Sequence, residues 1–158
     1  MLPDPLHPAV VHLPIALAAL IPLVALAALL AARGGWLPSR AWAFVVLLQA
    51  CLVGSAWLAI ETGEQEEERV ERVVAERHIE DHEEGAERLL WAAGIVLLVS
   101  AAGLASGRVG ALARPLGFVL SLGVVALTVD VGHSGGELVY RHGAASAYTQ
   151  GSPPAPPP

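Results

Sequence analysis

Apolar positions along this chain do not alternate, nor do they recur on one helical face; they come in blocks. Residues 9–32, 41–60, 89–105 and 115–131 are nearly uninterrupted apolar runs of 17 to 24 residues, and a helix needs about 20 to cross roughly 30 Å of hydrocarbon. Four such runs in 158 residues leave too little amphipathic sequence to cover them as buried helices of a soluble protein. The pattern predicts an all-α fold, a four-helix transmembrane bundle with spans at about 8–33, 41–60, 87–106 and 114–133. Between the second and third spans lies "ETGEQEEERVERVVAERHIEDHEEGAER", rich in helix formers, with Val70, Val73, Val74 and Ile79 near helical spacing. It predicts an external acidic, amphipathic helix over 61–86 that runs into the third span. Residues 1–145 form the membrane domain on this reading, and 146–158, ending "GSPPAPPP", form a disordered Pro-rich tail.

Composition agrees with the blocks, at 54% hydrophobic and 15% charged residues. The first run lacks a basic segment before it and is too long for a signal-peptide core, so it is expected to stay as a span. Charge then orients the bundle. The short connections joining spans one to two and three to four carry Arg33, Arg40, Arg108 and Arg114 and no acid, which makes them cytoplasmic by the positive-inside rule. Both termini and the central segment then lie on the opposite, external face. All 15 Asp and Glu residues fall on that face, from Asp4 through the central segment to Asp130 and Glu137. Trp36 and Trp42 at one end, and Trp57 and Trp91 at the other, read as the two interfacial belts. A net charge of −6 concentrated outside argues against nucleic acid as a partner. Membrane lipid and basic or metal-ion partners remain.

The candidate chemistry is histidine. His7 and His12 open the first span, His78 and His82 precede the third, and His133 and His142 end the fourth, so three separate regions each bring a pair to the external end. Ionisable groups at membrane depth are costly enough to count as functional candidates. His78 and His82 are four apart and share a helical face. Asp130 lies three before His133, placed to be a co-ligand or to fix its tautomer, and Glu61 lies at the same depth. Two chemistries fit. In one, two imidazoles ligate a b-type haem, enclosed by the apolar bundle with Trp57 and Trp91; in the other, several His with a carboxylate bind Cu, Zn or Fe directly. Cys51 is the only cysteine, so no CxxC knuckle or CxxCH haem attachment exists. HExxH and ExxH motifs are also missing. The glycines of "DVGHSGGELVYRHG" follow an apolar run and so read as a helix end that lets backbone approach something bulky, not as a phosphate cradle.

The stretches "LHPAVVHLPIALAAL", "ETGEQEEERVERV", "HIEDHEE" and "DVGHSGGELVYRHG" resemble the bacterial predicted membrane proteins catalogued as domain of unknown function 2231, over about residues 3–145. The resemblance implies a four-helix membrane protein without an established general activity, set in a bacterial inner membrane, which makes the external end, with both termini and the histidines, periplasmic. It implies redox company too, because such domains are sometimes joined to Rieske-type iron–sulfur or c-type cytochrome domains; this chain would instead meet those partners as separate proteins. It carries over His7, His12, His82, His133 and His142 as motif positions, with Gly132, Gly135, Gly136 and Gly143 around them. The leading expectation is a small b-type cytochrome-like electron-transfer subunit, not a stand-alone enzyme. Its axial ligands are expected among His12, His82 and His133, with His7, His78 and His142 secondary. The alternatives are a His/carboxylate site for a bare metal ion and a structural or assembly subunit. A transporter is disfavoured, since Gln49, Cys51, Ser55 and Ser100 are the only polar interruptions in spans two and three. Gly117 and Ser121, four apart, mark close helix packing and offer a possible homodimer face.

Overall fold

The computed structural model describes residues 5–149, and the described chain is helical with no strand. In chain order the α-helices are α1 (His7–Val10), α2 (His12–Arg33), α3 (Ala43–Val70), α4 (Glu76–Ala102), α5 (Gly107–Tyr140) and α6 (Ser146–Thr149), with a 3₁₀ turn at Ser39–Trp42 before α3. Helices α2 to α5 are long and apolar enough to cross a membrane. Each packs on the next, and α5 returns to α2, closing an up-and-down ring of four. Only 28–33% of each apolar stretch is buried in the bundle. Leu23, Leu98 and Leu112 are each more than 65% exposed, a surface that only lipid solvates.

The inward seam is small and partly polar. Ala18 and Ala25 of α2, Ala93 and Ser100 of α4, and Gly117 and Ser121 of α5 are buried, and between them pack Ile21, Val45, Leu52, Val96 and Val124. Helices in lipid gain little from hydrophobic burial and associate by close approach and hydrogen bonds, which small residues permit. A Cβ on Gly117 would lie 3.1 Å from Ser100 Oγ. The Gly117–Ser121 face is therefore spent inside the bundle, and the homodimer face expected from it is not on the outside. Trp42 corrects a second expectation. It is 2% exposed, with Nε1–H donating to Ser100 O at 2.9 Å, while Trp36 at the same end is 84% exposed. A Trp entering the bundle beneath the α4 end packs as a core residue, not as part of a belt.

The acidic segment is not a separate helix. Residues 61–70 continue α3 without a break, the chain turns at 71–75, and residues 76–86 already belong to α4. The apolar spacing had a different cause from the one expected. Val74 and Ile79 bury together with Ala144, and Val70, Val73 and Leu138 pack against them, so the valines meet across a turn. At the other extremity α5 runs through Gly132, Gly135 and Gly136 to Tyr140. Beyond Tyr140 the chain turns away at Gly143, whose φ of +76° suits glycine. Residues 146–149, expected in the tail, form α6; the rest of that tail lies outside the described residues.

Candidate functional site

All six histidines lie at the end of the bundle opposite the two arginine-bearing connections, carried by α1, the start of α2, the start of α4 and the end of α5. They do not form one cluster. The structure builds two imidazole pairs and leaves two histidines outside them.

The first pair joins α1 to α4. His7 and His82 stand edge to face with ring centroids 6.4 Å apart and planes at 89°. Each ring is anchored through Nδ1. His7 Nδ1 lies 2.8 Å from Ala59 O on α3. A carbonyl only accepts, so that nitrogen carries the proton and Nε2 keeps its lone pair. His82 Nδ1 lies 2.8 Å from Ser134 Oγ on α5, and Ser134 Oγ–H donates to Val131 O at 3.0 Å. With its own proton directed at Val131, the hydroxyl accepts from His82 Nδ1–H. Both imidazoles are thereby set in the same tautomer with Nε2 unprotonated, the arrangement that metal-binding histidines adopt when a neighbouring oxygen takes the other ring proton.

Glycines make the room. A Cβ at Gly63 on α3 would lie 3.3 Å from the His7 ring, and one at Gly135 on α5 would lie 3.0 Å from His82 Cε1. Thr62, buried beside His7, spends its hydroxyl proton on the Leu58 and Ala59 carbonyls, both at 3.0 Å. Four helices thus contribute to one pair of rings just beyond the apolar part of the bundle.

The second pair joins the outer turns of α4 to the chain after α5. His78 and His142 stack at 3.8 Å with 18° between planes. Arg77 Nε–H donates to His78 Nε2 at 3.3 Å, so this nitrogen is already engaged. His78 and His82 do share the α4 face turned to α5, as their spacing predicts. Their partners differ.

His12, at the first turn of α2, is exposed. His133 is also exposed, and the carboxylate beside it is Glu137, with Nε2 to Oε1 at 3.5 Å, where Asp130 was expected. Asp130 itself is exposed and Glu61 half-buried. Helical phase explains this: on α5, Ser134 takes the inward position, and its neighbour His133 is turned a third of the way round, to the outside. Trp57 and Trp91 are 51% and 74% exposed, so they face outward and enclose nothing. Among the described residues no three His, Cys, Asp or Glu side chains gather closely enough to hold a metal ion. Two open grooves run along the spans, of about 300 Å³ between α2 and α3 and about 420 Å³ between α4 and α5. Both are lined by apolar side chains and contain no histidine.

Sequence reasoning named Gly135 among the motif glycines and missed Ser134, Thr62, Gly63 and the Ala59 carbonyl. Ser134 stands beside His133 in "GHSGG", but adjacent helix positions lie about 100° apart and the sequence does not say which of them faces inward. The Ala59 carbonyl carries no sequence signal.

No curated protein and no solved structure matches the chain. Its helices, its lipid-facing surface and its terminal histidine pairs are accompanied by one family match, to the family described as "Predicted membrane protein (DUF2231)", over residues 3–147. That match spans nearly the whole chain, including every histidine discussed above, and the protein belongs to this family of membrane proteins.

Proposed function

We propose that this protein is a b-type cytochrome-like electron-transfer subunit of the bacterial inner membrane, with haem b held by His7 and His82 at the periplasmic end. One observation carries the reading: two imidazoles from different helices, with ring centroids 6.4 Å apart, each held through Nδ1 by an oxygen at 2.8 Å. Haem iron would need only two imidazoles from the protein, which His7 and His82 would supply, whereas a bare zinc ion would need a set of three or four protein ligands. The described residues offer a pair and no third ligand. The donor set therefore fits haem better than a directly bound ion.

His82 keeps the role expected of it, His7 takes the place of His12 and His133, and His78 and His142 fall outside the ligand set. When bound, haem supplies reversible one-electron chemistry. The chain's own residues do the positioning: Ala59 O and Ser134 Oγ hold the ring protons away from the ligand side, and Gly63 and Gly135 let both rings lie against α3 and α5. The periplasmic orientation rests on Arg33, Arg40, Arg108 and Arg114 at the opposite end. Partners on this reading are separate redox proteins of the c-type cytochrome or Rieske kind, meeting the acidic periplasmic rim. Iron and porphyrin content of the purified protein tests the assignment. Near-stoichiometric iron with porphyrin supports haem, metal without porphyrin supports the bare-ion alternative, and neither leaves a structural subunit.

A further inference from the structure

We propose that the groove between α2 and the start of α3 holds one anionic glycerophospholipid, with an acyl chain lying in the groove and the phosphate at Arg33 and Arg40. The groove has a volume of about 300 Å³. Ala27, Ala28 and Ala31 line it from α2, and Leu37, Ala41 and Phe44 line it from the connection and α3. Ala31 follows Ala28 by three residues and Ala27 by four, so the three share one helical face. Side chains no larger than a methyl group leave the seam between the two helices unfilled, and the hydrocarbon of a lipid supplies the missing van der Waals contacts.

Charge at one end of the groove selects the headgroup. Arg40 immediately precedes Ala41 of the lining, Arg33 follows Ala31 by two residues, and both are exposed. The connection between them carries no acid. Neither guanidinium has a hydrogen bond or ion pair among the described residues, whereas Arg114 at the same end donates Nε–H to Gly103 O at 2.7 Å. The connection is held in place: Trp36 N–H and Leu37 N–H reach Ala31 O at 2.9 and 3.3 Å, and Gly35 takes a φ of +72°. Leu37 is thereby set in the groove while Trp36, 84% exposed, stands where a headgroup region would meet its ring. Helix α3 begins beside the two arginines, and the positive end of its dipole adds to their attraction for an anion. The groove between α4 and α5 is larger, about 420 Å³, but lacks this end. On α5 its lining begins at Leu120, six residues or roughly 9 Å beyond Arg114. Volume alone selects no headgroup; two unengaged arginines at the end of an apolar groove select an anionic one.

The site lies at the end of the bundle opposite the histidines, so the inference is independent of what His7 and His82 hold. Native mass spectrometry of the full chain, released from nanodiscs of equal parts phosphatidylglycerol and phosphatidylcholine with identical acyl chains, identifies the lipid retained. The expected result is one retained phosphatidylglycerol, preferred over phosphatidylcholine by about 10- to 30-fold, the size that two arginines near an anionic headgroup supply. Arg33→Gln combined with Arg40→Gln should bring the ratio close to one. Arg108→Gln, at the same end but outside the groove, should leave it unchanged. Ala27→Phe, at an exposed position of the lining, fills the groove with both arginines intact and should abolish retention of the lipid. A wild type that retains the two lipids equally would overturn the proposal. So would a loss in Arg108→Gln as large as in the double variant, which marks attraction to the arginine-bearing end at large, or a preference that survives Ala27→Phe, which marks headgroup binding without the groove.

Discussion

The residues that define the candidate site are set by what their neighbours do with one proton. Because Ala59 O and Ser134 Oγ each take an Nδ1 proton, His7 and His82 present lone pairs at Nε2, and the two supports can be removed separately from the ligands. Ser134→Ala should leave the bundle folded and cost about 1 kcal/mol of stability for the lost hydrogen bond. Its effect on ligation should be larger, a roughly 10- to 100-fold loss of cofactor affinity of the kind seen when a ligand's supporting partner is removed; titration of the cofactor-free protein checks this. Gly135→Ala places a methyl group 3.0 Å from His82 Cε1. It should cost about 1–3 kcal/mol by overpacking and displace the His82 ring, read as a lowered thermal midpoint together with lost cofactor. The sequence brought His82 forward together with His12 and His133 and ranked His7 below them, whereas the structure sets His7 beside His82. His7 and His12 are both at the start of the first span with equal chemical merit, and only the path of α1 over α3 decides between them. His133 looked equally suitable until helical phase gave the inward place to Ser134.

At the scale of elements, the four spans and the end at which the histidines gather were legible because block hydropathy and loop arginines are properties of single segments. The joining of 61–86 into the ends of α3 and α4 was not. Whether valines four apart form one helix face or meet across a turn depends on where the turn falls, and no Pro or Gly marks residues 71–75. The two helical extensions have their own small core around Val74, Ile79 and Ala144, separate from the bundle core around Ile21, Leu52 and Ala93. Ile79→Ala should therefore loosen the extensions and the segment after α5 without melting the bundle. Faster hydrogen exchange confined to about residues 66–82 and 141–149, with the thermal midpoint nearly unchanged, is the expected outcome. Within the bundle, Gln49 is fully buried, donates Nε2–H to Ala93 O at 3.1 Å, and leaves Oε1 without a partner. A half-satisfied polar contact between helices contributes little, so Gln49→Leu should shift unfolding stability by less than about 1 kcal/mol or raise it, as measured by denaturant titration in detergent.

The whole molecule is a lipid-facing bundle with arginines at one end and acids and imidazoles at the other. Orientation is open to a direct check: a cysteine placed at Gly35 in a Cys51→Ser background should resist a membrane-impermeant thiol reagent in intact cells, and one at Glu80 should react. The reverse pattern would put the histidines in the cytoplasm and remove periplasmic carriers as partners. Whether His7 and His82 hold haem is read from the oxidised and dithionite-reduced absorbance spectra of protein purified after haem-sufficient expression. The expected spectrum has a Soret band with sharpened α and β bands on reduction, lost in His7→Ala and in His82→Ala and retained in His12→Ala and His133→Ala. A folded wild-type protein without a Soret band, or one whose band survives loss of His82, would contradict the haem assignment.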